Sequence, residues 1–102
     1  MSVRAVKAAE LTRTAGDVHV QPDADTAAAM IAAGRTRVIS SWAIVIDAAG
    51  WVEQVAAITS TGSVAYDARI AEALRGWRFE PFRDPHGMAI PVATTYTFVW
   101  TP

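Results

Sequence analysis

The chain has no cysteine, two histidines, and no apolar run longer than the seven residues from Ala27 to Ala33. Without a thiol there is no disulfide, no thiolate nucleophile and no Cys-type metal site. The longest apolar runs, Ala27 to Ala33 and then Trp42 to Ile46, fall far short of the ~18 residues that a bilayer span needs. An excess of one charge is also missing: nine Lys plus Arg against ten Asp plus Glu leave a net −1. Nucleic-acid surfaces and polybasic membrane anchors need clustered cations, so both classes are disfavoured. His19 and His86 are far apart, and neither has a second histidine beside it to build a metal site. They read as exposed loop residues. No G-x-S-x-G, P-loop, G-x-G-x-x-G or H-E-x-x-H motif is present, and nothing in the residues points to catalysis, a metal or a cofactor.

What is present is one domain's worth of protein, 102 residues, 52% apolar. Area scaling predicts roughly 5,600 Å² of folded surface. Alanine contributes 21 of the apolar residues, so the core must be built from four Trp, three Phe and seven Ile together with a few other bulky side chains. From Met1 to Asp17 the pattern is weak, and residues 1–19 read as a short helix or a disordered arm. Their charges, Arg4, Lys7, Glu10 and Arg13, are not separated by an apolar stretch, so no signal peptide is predicted. Pro22 then precedes Asp23 and Asp25, either of which can cap a helix that closes at Gly34. Capping is the better reading of this carboxylate pair than acid–base chemistry.

From Thr36, β-branched and aromatic residues place Val38, Trp42, Ile44 and Ile46 on one face of a strand. Asp47-Ala48-Ala49-Gly50 suits a type I turn closed by a left-handed glycine. A second strand follows from Trp51 to about Thr59, with a bulge predicted near Glu53 and Gln54 because Val52, Val55 and Ile58 break strict alternation. Thr61-Gly62-Ser63 ends it and offers Ser63 as a cap. Tyr66, Ile70, Ala73, Leu74 and Trp77 then fall on one helical stripe, and Pro81 forbids continuation. Asp84-Pro85-His86-Gly87 reads as a turn. A last strand from Ile90 to Trp100 puts Ile90, Val92, Tyr96, Phe98 and Trp100 on one face, with Ala93, Thr95, Thr97 and Val99 on the other. The order predicts an α+β fold, an α-β-β-α-β two-layer sandwich whose three-stranded antiparallel sheet is covered on one face by two helices.

The arginines at 69, 75, 78 and 83 alternate with Asp67, Glu72, Glu80 and Asp84, which favours a solvated face over an anion site. Trp42, Trp77 and Trp100 fall on predicted core faces, and Trp51 is the one expected to be exposed. On the face opposite the core, Ile39, Ala43 and Val45, with Val99 and Val55, are too apolar for free exposure. Either the N-terminal arm covers this patch or two chains pair through it as a homodimer.

The stretch Val38 to Val99 resembles the C-terminal domain of the TonB family, in the variety common in myxobacteria-like envelopes. The likeness is carried by Ile46-Asp47-Ala48-Ala49-Gly50 with Val52 and Val55, by Ser60-Thr61-Gly62, and by Tyr66-Asp67 opening a helix. Its most specific piece is Arg75-Gly76-Trp77-Arg78-Phe79-Glu80-Pro81-Phe82, similar to the family's W-R-[FY]-x-P signature. Gly87, Pro91-Val92 and Phe98 follow, while Pro22 and Gly34 match the preceding helix, with Gln21-Pro22 standing where the family has Tyr-Pro. The resemblance implies that residues 20–102 form the domain, with Gly50, Gly62, Trp77, Phe79 and Pro81 as structural anchors. It implies a non-enzymatic, periplasmic energy-transduction module, with strand order second, first, third. The last strand then lies at an edge, where an extended peptide of an outer-membrane receptor or envelope protein adds by β-augmentation, tuned by Ala93, Thr95, Thr97 and Val99. The family's transmembrane helix and Pro-rich spacer are not in this sequence, so a periplasmic location implies a longer anchored protein. Two other readings stand beside it: an oligomerising domain of an envelope machine such as that of gliding motility, or a soluble cytoplasmic protein that keeps the fold.

Overall fold

A computed structural model describes residues 3–102. The elements in chain order are β1 (Arg4–Ala5), a 3-10 turn (Ala8–Glu10), β2 (Arg13–Ala15), α1 (Ala24–Ala32), β3 (Val38–Ile46), β4 (Val52–Thr59), α2 (Val64–Arg75), β5 (Arg78–Phe79) and β6 (Val92–Trp100). The main sheet has four strands in the order β1-β6-β3-β4, and β2 pairs with β5 in a second, two-stranded sheet. The expected α+β sandwich with two helices is therefore present, and its sheet differs in detail. The predicted order second, first, third is seen in β4-β3-β6. Two-residue β1 is added parallel to β6, Arg4 opposite Val92 and Ala5 opposite Ala93. Residues 4–15 thus form two short strands and a 3-10 turn rather than a helix or a disordered arm. Such short strands carry no periodicity of their own; they exist because an existing edge offers free N–H and C=O groups.

Both helix starts follow from their caps. The Asp23 carboxylate accepts the Thr26 N–H at 2.7 Å, and the Ser63 hydroxyl accepts that of Tyr66. The cap bond, with a smaller contribution from the Arg69 charge, holds the Asp23 carboxyl below its usual value. The β3–β4 turn forms as the sequence predicts: Gly50 N–H donates to the Asp47 carbonyl, Gly50 has φ +93°, and the Asp47 carboxylate accepts the N–H groups of Ala49 and Trp51. Gly50 is required twice over, because a Cβ there would lie 2.0 Å from the Phe79 carbonyl oxygen. The 84–87 loop repeats the device, with Asp84 accepting from His86 and Met88. Bulges lie at Glu53, as predicted near that position, and at Ile58.

The core fills one face of the sheet. Val38, Trp42, Ile44 and Ile46 of β3 meet Tyr66, Ile70 and Leu74 of α2, with Met30, Trp77, Phe79, Val92 and Trp100 around them. Trp77 is only 1% exposed and sits in a ring of contacts: Tyr96 edge-on at 4.9 Å, Phe79 and Phe98 near 6 Å, and the Arg13 guanidinium over its face at 4.9 Å. Gly16 lies so close that an added Cβ would fall 2.3 Å from Cδ1 of the indole. Val55, expected on the outer face, pairs with Ile44 and packs on the core side, because the bulge at Glu53 inverts the alternation before it. The molecule is elongated, 53 × 22 × 20 Å, and its 6214 Å² of surface exceeds the compact expectation accordingly.

Candidate functional site

The outer edge of β6 is the feature that can do chemistry of recognition, and its polarity can be worked out. The Val6 N–H donates to the Ala93 carbonyl at 2.9 Å, so the backbone groups of Ala93 point away from β3. In an antiparallel ladder this alternates, and Thr95, Thr97 and Val99 therefore also aim their N–H and C=O groups outward. Val92, Thr94, Tyr96, Phe98 and Trp100 bond to β3 in register with Ile46, Ile44, Trp42, Ser40 and Val38. The site residues read from the sequence are thus brought together on one strand. Ala93 stands apart from the others: β1 already occupies its edge position and the 3-10 turn after it also lies against β6, while from Thr95 on the outward backbone groups have no backbone hydrogen-bond partner among the described residues.

A second wall faces this stretch. Val18, His19, Val20 and Gln21 run beside Thr97 to Thr101, leaving a groove of about 270 Å³ with Tyr66 lining it. Among the described residues, no backbone hydrogen bond joins this wall to β6. The wall is held from behind instead. Tyr66 donates its hydroxyl to the Val20 carbonyl at 2.7 Å, Arg69 Nε donates to Gln21, and the Trp77 indole N–H donates to Asp17. Burial pushes the Tyr66 phenol above its usual value against a smaller opposing effect from the Arg69 charge, so it stays a donor. The wall was not visible in the sequence. Only Pro22, which favours an extended residue before it, hints at a straight segment there.

The remaining candidates do not gather into a site. His19 and His86 are exposed, and no group of three metal-ligating side chains occurs among the described residues. Arg69, Arg78 and Arg83 donate to backbone carbonyls, and Arg78 also lies 3.7 Å over the ring of Trp51, which is half exposed. Gly62 and Pro81 are exposed, Phe79 is buried. Asp67 closes the loop before α2 by accepting the Thr61 N–H at 2.9 Å and hydroxyl at 2.6 Å, as well as the Ser60 hydroxyl. No helix is long and apolar enough to cross a membrane among the described residues.

A solved structure, the solution structure of the Pseudomonas aeruginosa TonB C-terminal domain, superposes with a TM-score of 0.64 over 95% of this chain and 93% of that one, at 19% identity. The fold is that of a TonB C-terminal domain. Neither a protein-family model nor a curated protein sequence matches the chain. The TonB-like fold is thus carried by the arrangement of elements, at an identity where side-chain roles have to be argued from this chain's own geometry.

Proposed function

We propose that this chain is a non-catalytic, periplasmic TonB-like domain that captures an extended peptide of an outer-membrane receptor or envelope protein along the edge of β6, within a longer anchored protein that transduces energy for transport. The observation that carries the reading is that this edge already accepts a strand. Arg4 and Ala5 of the same chain pair with its first two residues, and among the described residues the next outward groups, at Thr95, Thr97 and Val99, make no backbone hydrogen bond, the last two beside a groove. Main-chain pairing supplies affinity without a deep pocket, and alternate side chains supply selectivity. Residues 20–102 form the docking unit in this reading, with Gly50, Gly62, Trp77, Phe79 and Pro81 holding its frame and β1 of the N-terminal arm closing one end of the edge.

The test is an NMR titration of the 15N-labelled chain with peptides tiling the periplasm-facing segments of outer-membrane receptors. The expected result is amide shifts concentrated at Thr95, Thr97, Val99 and His19, abolished by Thr97→Pro in a chain that stays folded. Shifts centred on β4, or normal binding by folded Thr97→Pro, would reject the edge as the interface.

A further inference from the structure

A cleft of about 460 Å³ lies between α1 and the loop that leads into α2, and none of its lining residues belongs to β6. Its volume is in the range of small-molecule sites. Along α1 it is lined by apolar Ala29, Met30 and Ala33, and it also takes in one acidic and one basic side chain, Asp25 and Arg35. Neither charge is spent inside the fold. The α1 cap bond goes to Asp23, so Asp25, the other carboxylate of the pair noted in the sequence, is exposed and caps nothing. Arg35 is half-buried and donates through Nη2 to the Thr61 carbonyl, a neutral acceptor. Its guanidinium has no other hydrogen-bond partner among the described residues. Gly62 makes room for it: a Cβ there would lie 2.8 Å from Nη1, so the guanidinium occupies the space that a side chain at 62 would take. The cation is thus held in place and still has donors to give.

The spacing of the two charges defines what fits between them. The Arg35 N–H donates to the Met30 carbonyl at 2.9 Å, so Arg35 follows directly on the last turn of α1, whereas Asp25 stands in the first. At about 1.5 Å per residue the two are about 10 Å apart along the helix axis. An extended peptide of about three residues covers that distance.

We propose that this cleft binds short apolar peptides with both termini free, the ammonium on Asp25 and the carboxylate on Arg35. A guanidinium fork matches a carboxylate in shape and in number of donors. Ala29, Met30 and Ala33 receive the central apolar side chain. The Ser63 hydroxyl accepts the Tyr66 N–H and keeps its own proton to donate to the peptide backbone. A ligand carrying an anion alone would lay its apolar tail beside the Asp25 carboxylate, which selects for a molecule charged at both ends. The need for free termini separates this cleft from the β6 edge, where internal segments of a long chain can pair.

Titration of the 15N-labelled chain with the tripeptide Ala-Leu-Ala tests the proposal. Amide shifts should appear at Ala29, Ala33, Gly62 and Ser63 and not at Thr95, Thr97 or Val99. The dissociation constant should be about 0.1 mM, from the ligand efficiency ordinary for a molecule of this size. Amidating the peptide's C-terminus should weaken binding about fivefold or more, and so should acetylating its N-terminus, two changes that leave the protein untouched. Arg35→Gln should weaken the free peptide by a similar factor yet bind the amidated one as the parent does, and Asp25→Asn should behave likewise towards the acetylated one. If a variant fails to fold, the two modified peptides still decide the matter. The proposal is overturned by an unshifted cleft at about 10 mM peptide, about a hundred times the expected constant, or by shifts centred on β6. It is also overturned by modified peptides that bind as well as the free one, or by losses from Arg35→Gln and amidation that add in full.

Discussion

The carbonyl oxygen of Ala93 accepts the amide hydrogen of Val6 at 2.9 Å, and this one bond fixes which residues of β6 face the sheet and which face its outside. From it follows an asymmetry between neighbours. Thr95 aims its amide outward, whereas Tyr96 bonds inward to Trp42 and also stacks edge-on against Trp77.

Proline at these two positions should therefore behave unequally. Thr95→Pro removes an outward donor and should leave a cooperative thermal transition. Tyr96→Pro deletes a ladder bond and a core aromatic contact, a loss of about 3 kcal/mol or more, and should leave little folded protein. Equal unfolding of both would mean that the edge is not free at Thr95.

Trp77 joins three parts of the chain that are distant in sequence: α2, which it follows, Tyr96 and Phe98 on β6, and Asp17, 60 residues earlier, whose carbonyl accepts its indole N–H at 3.0 Å. Trp77→Ala should cost about 3–5 kcal/mol, a large part of the ~5–15 kcal/mol holding a domain together. Denaturant midpoints measure it. Trp77→Phe retains the ring contacts but not the donor, so its cost should fall well below that of alanine; equal costs would show that packing contributes little.

The parts of this fold that were legible in the sequence are those with long periodicity and a punctuating residue at each end. β3, β4, α2 and β6 alternate or repeat over eight to twelve residues, and Gly50 and Ser63 mark boundaries among them as Asp23 does for α1. β1, β2 and β5 are two or three residues long and have no pattern to read; their strand geometry is supplied by the edges they join. The edge of β6 came into view through resemblance and not through its residues, since Thr95 and Thr97 look alike in a central and an edge strand. The groove wall at Val18–Gln21 depends on tethers from Tyr66 and Arg69, more than forty residues away, which no local signal encodes.

Gly50 and Gly34 both have positive φ, but only Gly50 is also crowded. Gly34→Ala meets open space and should cost about 1–2 kcal/mol, the strain of a left-handed alanine. Gly50→Ala adds a collision with the Phe79 carbonyl and should cost well over that, moving the turn away from β5. Similar melting temperatures for the two variants would contradict the close approach.

The Thr94 hydroxyl on β6 belongs to a residue only 5% exposed and finds no hydrogen-bond partner among the described residues. A buried, unpaired hydroxyl costs about 1–3 kcal/mol. Thr94→Val keeps the shape and removes the orphan group, so it should raise the denaturant midpoint. A lowered midpoint would mean that the hydroxyl is satisfied in solution.

Asp67 offers a pH-dependent test of the loop before α2. Burial alone would raise its pKa, but hydrogen bonds from Ser60 and Thr61, with the Arg35 charge nearby, outweigh that and hold it below the usual 3.8. A carboxyl whose folded pKa is depressed contributes stability that is fully present above the unfolded value and is lost as pH falls through the folded one. Thr61 is fully buried and donates its N–H to this carboxylate, while its hydroxyl has both the carboxylate and the Ser63 carbonyl within reach. Asp67→Ala should therefore destabilise the chain at pH 7 by about 1–3 kcal/mol, chiefly by stranding the Thr61 amide. The difference between the variant and the parent should begin to narrow as pH falls below the unfolded value of 3.8 and close as it passes through the depressed folded value, where the folded parent's own carboxylate takes up a proton. Urea titrations of both chains at neutral and acid pH measure that narrowing. A gap that stays constant down to the acid limit would show that the carboxylate's charge does not secure the loop.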